Sequence, residues 1–240
     1  MPYYERAIAL NPHDAQAHCN LGLTLLHLGD YPRGFAEYEW RWQTGQCRPW
    51  RCPQPRWDGR PIPDHTLLLH TEQGAGDAIQ CARYLPLVAQ RCGKLLLACR
   101  PDLIPLLATV PGLAEIRDPG TINVAEFDTY LPLGSVPLVL GTTLATIPAA
   151  VPYLDVAALR RRQDPPAWPR LEPSPRPRVG VVWAGSPTDP PDRQRSCALR
   201  DVAAVLQLPG LEFYSLQPGE PRQELAQLPP QCPVRDLAPA

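Results

Sequence analysis

The sequence predicts an α/β chain in three parts: an N-terminal helical hairpin, a first lobe of alternating strands and helices, and a second lobe of about three strands. Three observations carry this reading. Residues 1–46 place small and large packing residues at helical spacing, residues 65–162 switch to short apolar runs alternating with helical patterns, and the same texture restarts at residue 178. Residues 47–64 form a connector rich in Pro and Trp. Residues 163–177 form a proline-rich linker that can be neither helix nor central strand. With 240 residues and 44% apolar content the chain can bury a real core.

In the first part, Leu21, Gly22, Leu25, Gly29 and Tyr38 fall where a tetratricopeptide repeat of roughly 34 residues places its packing residues. Tyr4, Ala7 and Pro12 match the end of a preceding repeat. Gly22 lets two antiparallel helices approach closely, and Pro12 stops the helix before them. The sequence departs from the repeat where Gly34 replaces the usual alanine and where Arg41 and Gln46 replace the later small residue and proline. A unit that ends so must lean on something else, and the aromatic run Tyr38, Trp40, Trp42 is the expected contact. Either a peptide- or partner-binding groove or a helical cap on the next domain fits this pattern.

In the first lobe, residues 66–70 and 94–99 read as strands and residues 77–90 and 102–109 as helices, so a parallel sheet is expected. Between the first strand and first helix runs His70-Thr71-Glu72-Gln73-Gly74-Ala75-Gly76-Asp77. Ligands of open α/β sheets sit outside the carboxyl ends of strands, so this loop is where chemistry belongs. Gly74 and Gly76 are expected to permit a tight turn and close backbone approach, with the helix N-terminus open to anions. A dinucleotide fingerprint fails here: Ile79 stands where the third glycine is needed, and Cys99 and Arg100 where the acidic residue is needed. Asp77 is a helix cap or a functional carboxylate on spacing alone.

Residues 67–87 followed by residues 94–99 resemble bacterial repeat-linked proteins related to the heptosyltransferases of glycosyltransferase family nine, whose first lobe opens with a strand and a Gly-x-Gly-Asp loop. That resemblance implies Asp77 as general base. Residues 127–130, 140–143, 147–149 and 151–154 also look like this family, where they would form the acceptor-side wall. In the second lobe, residues 178–185 read as a central buried strand, residues 199–208 and 223–228 as helices, and residues 211–216 and 234–237 as strands. Together the parts resemble a tetratricopeptide helical hairpin followed by a Rossmann-like lobe and an incomplete second Rossmann-like lobe, a partial GT-B fold. The resemblance implies a donor side in which Ser186, Arg193 and Arg195 face a diphosphate, with Gln73, Gly74 and Gly76 on the acceptor side. Ser186 is equally ordinary turn chemistry, and the two arginines equally a solvated polar loop.

The function implied is inverting transfer of a sugar from a nucleotide sugar to an acceptor, with no metal or cofactor required. The family continues into a nucleotide-binding segment that these 240 residues lack, so the sequence is expected to be a fragment, inactive by itself. The alternative is a non-catalytic adaptor that binds a protein through the repeat. A net charge of -1 provides no field for nucleic acid, no apolar run approaches a membrane span, and the N-terminus lacks a signal core, so a cytoplasmic protein is expected. The eight cysteines lack zinc-type pairing, and Cys81 and Cys99 sit in apolar contexts.

Overall fold

The computed structural model describes residues 1–45, 47, 49–157, 159, 171–185 and 195–237. The chain divides into two compact units, Met1–Asp164 and Pro165–Ala240. Unit one begins with three helices, α1 (Pro2–Leu10), α2 (Ala15–His27) and α3 (Tyr31–Tyr38). Asp14 and Asp30 cap α2 and α3 by accepting the backbone N–H of Ala17 and Arg33. Gly29, at φ +82°, closes the turn between those two helices.

The expected hairpin forms, with Leu21 and Leu25 buried and Tyr38 half-buried. A Cβ at Gly22 would lie 2.7 Å from the backbone nitrogen of Tyr38, so the two helices are in backbone contact there. Gly34 has its own reason to depart from alanine, because a Cβ would lie 2.9 Å from the backbone nitrogen and side chain of Leu26. Gly22→Ala is therefore expected to cost about 1–3 kcal/mol by overpacking. Gly76→Ala, at an exposed helical position with open space around it, is expected to be neutral or mildly stabilising. Urea denaturation of the two variants checks the contrast.

The α/β part of unit one is a four-stranded parallel sheet in the order β3-β2-β1-β4. Its strands are β1 (Ile62–His70), β2 (Cys92–Ala98), β3 (Glu115–Arg117) and β4 (Thr129–Pro132). β1 and β2 are leucine runs because both faces are covered. Leu67, Leu69, Leu95 and Leu97 enter the main core with Trp57, Leu85 and Val88. Leu68 and Leu96 point the other way, against Phe127 and the connector residues Trp50 and Cys52. The connector thus covers a sheet face, and its residue Arg56 forms a parallel backbone bridge to Tyr130 of β4.

The helices are shorter and more broken than their apolar patterns predict. The span 77–90 is α4 (Ala75–Cys81), a 3-10 turn at Ala82–Tyr84, and α5 (Leu85–Ala89). The span 102–109 is a 3-10 turn, Pro101–Leu103, and α6 (Ile104–Leu107). Pro86 and Pro105 explain both breaks: each lacks the N–H that a continuous helix would bond, and each sits at the start of the new segment where none is needed.

Unit two holds a separate three-stranded parallel sheet of β5 (Arg178–Val181), β6 (Glu212–Ser215) and β7 (Val234–Asp236), in the order β5-β6-β7. The strand expected to be central, β5, is an edge of this sheet among the described residues, and β6 is central. The buried character of residues 178–185 comes from Trp183 beyond the strand, which packs with Leu199, Leu206, Phe213 and Cys232. The helical span 199–208 is likewise broken, into Leu199–Val202 and the 3-10 turn Val205–Gln207, and residues 220–227 form a 3-10 helix. Among the described residues no helix is long and apolar enough to cross a membrane.

Candidate functional site

The sheet order of unit one reverses direction between β1 and β4, and a crevice opens where the loops after these two strands part. His70 and Pro132 pair at the ends of the two strands. Beyond them lie residues 71–74 on one side and the 3-10 turn Leu133–Ser135 on the other. A cleft of about 460 Å³ lies there, lined by Thr71, Glu72, Gln73, Asp77 and Gly134 from the lobe. Leu26, Tyr31, Phe35 and Tyr38 of the helical hairpin form its other wall. A second hollow of about 440 Å³ shares Tyr31, Phe35, Gln80 and Cys81 with the first, so a groove continues between α3 and α4 to Ile147 and Tyr153.

Asp77 is the third residue of α4, and its Oδ2 accepts the backbone N–H of Gly74, the N-cap, at 3.1 Å. It is exposed in the cleft wall. The carboxylate thus closes the start of the helix on itself and places a negative charge beside its first turn. Gly74 and Gly76 do not serve a tight turn: neither has a positive φ, and a Cβ on Gly76 would meet nothing within 4 Å.

Gln73 lines the same cleft, and its Oε1 accepts from the Tyr38 hydroxyl at 3.2 Å. In this arrangement Nε2 is left without a protein partner. Burial pushes the Tyr38 hydroxyl up to about 12, so it remains a donor at neutral pH. Glu72, with a side chain only 4% exposed, accepts from Gly134 N at 3.2 Å and from Arg41 Nη2 at 3.0 Å. Any Cβ at Gly134 would lie 2.5 Å from Glu72 Oε1, so a larger residue there would push the carboxylate off this contact between the two strand-end loops.

Arg41 is the residue that joins hairpin to lobe. Its Nη1 donates to Glu39 at 2.6 Å, and its Nη2 to Glu72 at 3.0 Å and to Ser135 at 2.7 Å. The guanidinium lies over Tyr38 and Trp42, 5.0 and 4.5 Å from their ring centroids. The expected aromatic contact is thus made by Tyr38 and by this arginine. Trp40 instead stacks on His18 inside the hairpin, at 4.0 Å. Burial pushes Glu72 above the ordinary carboxyl range despite Arg41. Burial acts on Glu39 too, but Arg41, Ser135 and Arg56 outweigh it and hold that carboxyl low.

Residues 3–35 match the tetratricopeptide repeat family. The repeat therefore covers α1, α2 and the start of α3, and it ends before Arg41. Over 221 aligned residues the chain is 26% identical to Protein FlbA of Caulobacter vibrioides, a match that covers 84% of this chain and 37% of that protein. The chain spans little more than a third of this relative's length. No solved structure matches the chain.

The sites expected in unit two are less fully placed. Ser186 and Arg193 lie outside the described residues, and Arg195 is exposed. The loop after β5 is held by Gln217, which sequence reading missed. Buried Gln217 accepts from the N–H groups of Trp183 and Ala184, each at 3.0 Å, and donates to Ala184 O at 2.9 Å. Gly185 N donates to Ser196 Oγ at 3.0 Å. Of the phrases expected to wall an acceptor site, Ile147 and Tyr153 line the groove, while Thr129 and Tyr130 of the phrase 127–130 belong to β4. Among the described residues no group of three or more His, Cys, Asp or Glu side chains is placed to hold a metal ion. The cysteines are free, and burial pushes Cys81 up to about 12, leaving it a neutral thiol.

Proposed function

We propose that unit one is the acceptor half of an inverting sugar-transfer enzyme, in which Asp77 takes the proton of an acceptor hydroxyl. The supporting observation is the position of Asp77: exposed, in a cleft outside the carboxyl end of β1, at the point where strand order reverses. Only Oδ2 is engaged by the cap bond to Gly74. Gln73 Nε2 has no protein partner, and the Tyr38 hydroxyl, whose proton goes to Gln73, can still accept, so the two offer a neutral donor and a neutral acceptor for orienting a polyhydroxylated substrate. The strand order β3-β2-β1-β4 is the one a Rossmann-like lobe has, and with the parallel sheet of unit two it fits a partial GT-B architecture. In that reading the donor is a nucleotide sugar taken by unit two, and the resemblance assigns Ser186, Arg193 and Arg195 to its diphosphate. No metal is needed, because arginines and backbone donors stabilise the leaving group.

The adaptor reading draws on the tetratricopeptide match, since such repeats bind protein segments. Here the apolar side chains of α2 and α3 form a wall of the Asp77 cleft, which favours the repeat as part of the substrate site. The deciding experiment measures release of nucleoside diphosphate from a panel of nucleotide sugars, with this chain and with the full protein its gene encodes. Turnover by the full protein supports the enzyme. No turnover with any donor, alongside capture of a peptide by the repeat, supports the adaptor.

A further inference from the structure

On the far side of Arg41 lies a second, smaller pocket of about 310 Å³, at the lower end of the range for small-ligand sites. Trp42, Trp50 and Tyr130 line it, together with Glu39, Gln43 and Arg56. We propose that this pocket is a binding platform for one neutral pyranose ring, separate from the Asp77 cleft.

The aromatic surfaces are fixed from behind. The Arg41 guanidinium lies 4.5 Å from the Trp42 ring, and Trp42 Nε1 donates to Glu39 Oε2 at 3.3 Å, which together set the plane of that indole. Buried His70 lies 5.0 Å from Trp50 and 6.1 Å from Tyr130 between ring centroids. Burial holds the His70 ring down to about 4, so it is neutral and places no charge beneath them. Rings locked in this way lose little conformational freedom on binding, which favours a ligand with a flat apolar face. The C–H face of a pyranose meets the electron-rich face of an indole in this manner, while its hydroxyls need donors and acceptors at the rim.

Charge decides between a sugar and the other ligands that aromatic pockets take. A methylated ammonium needs uncompensated negative charge. Here the Glu39 carboxylate is already answered by Arg41 at 2.6 Å and Arg56 at 2.9 Å. An anion would need unneutralised positive charge, but Arg56 and Arg41 are both paired with Glu39, and Arg41 with Glu72 as well. What remains is a locally neutral site with apolar ring faces, a carboxylate oxygen, an amide and a guanidinium edge.

The site does not depend on Asp77 acting as a base, so its test is binding alone. The full chain is titrated with methyl β-glucopyranoside, N-acetylglucosamine, galactose, cellobiose and N,N′-diacetylchitobiose, following tryptophan fluorescence and heat. Saturable millimolar binding of at least one sugar is expected, unchanged between about 0.05 and 0.5 M NaCl because the ligand is neutral. Trp50→Ala should weaken it by roughly tenfold or more, the scale of losing one aromatic face and its buried area. Gln43→Ala, an exposed position, should weaken it severalfold with the thermal midpoint unchanged, which guards against misfolding of the tryptophan variant. No saturable binding of any sugar would overturn the proposal. So would sugar binding untouched by both variants, or salt-sensitive binding of tetramethylammonium at Trp50 in place of the sugars.

Discussion

Arg41→Ala is expected to destabilise unit one by about 3–5 kcal/mol, the range for removing one partner from a buried ion pair. Arg41 is 3% exposed at its side chain and is the cation that Glu72, 4% exposed, faces across the hairpin–lobe junction. Its loss leaves one carboxylate buried without its partner and removes the donor that joins Glu39, Glu72 and Ser135. Arg41→Lys should recover only part of this, because a single ammonium cannot donate in a fork to three acceptors while lying flat between two aromatic rings. Urea denaturation, read by fluorescence of Trp40, Trp42 and Trp57, measures the change. A loss below about 1 kcal/mol, the size of an exposed ion pair, would show that the network is dispensable.

The two carboxylates around Arg41 differ in what they contribute with pH. The carboxyl of Glu39 is held low in the folded protein, so its contribution is present above the ordinary value of 4.5 and is lost as pH falls through its lower folded-state value. Glu72 is raised, so its contribution is present below 4.5 and is lost as pH rises through its higher folded-state value. At neutral pH Glu39→Gln should therefore cost more stability than Glu72→Gln. A glutamine at 72 can still accept from Arg41 and Gly134 without the cost of burying a charge. Equal losses at pH 7, or a larger one at Glu72, would contradict this ordering.

The sheet was legible because its leucines announce it. The runs Leu67-Leu68-Leu69 in β1 and Leu95-Leu96-Leu97-Ala98 in β2 suit strands buried on both faces, and both are such strands. The helices were legible in place but not in length, since apolar spacing continues through Pro86 and Pro105 while the backbone hydrogen bonding does not. Two separate parallel sheets were also foreseen; the position of β5 within its sheet was not, because a short apolar run reads the same at an edge as at a centre. The switch-point loop was found from its place after the first strand. Its partners were missed, because Glu72, Gly134, Ser135 and Arg41 meet only through tertiary contacts 31 to 94 residues apart. Arg41 did carry a signal: it stood where the repeat calls for a small residue, and that mismatch is where the hairpin is joined to the lobe.

If the proposed sugar transfer is right, Asp77→Asn lowers turnover by roughly 10²-fold or more, the scale of losing a general base. The structure makes asparagine the informative replacement. Asp77 also caps α4 through the N–H of Gly74, and an asparagine Oδ1 can accept that same bond, so the local fold is retained while the basic oxygen is removed. Asp77→Ala removes both, and should add a stability loss of about 0.5–2 kcal/mol that the asparagine variant lacks. The capping role alone predicts the opposite pattern: full activity in the asparagine enzyme, and a defect in the alanine enzyme that follows its stability. The rate of nucleoside diphosphate release at saturating donor and acceptor separates the two, with urea denaturation of each variant alongside. A base should leave donor affinity nearly unchanged and lower kcat and kcat/KM for acceptor together, since the proton is taken only as the new bond forms. An asparagine variant with undiminished kcat would return Asp77 to the role of a helix cap and move the search for the base to the other groups of the cleft.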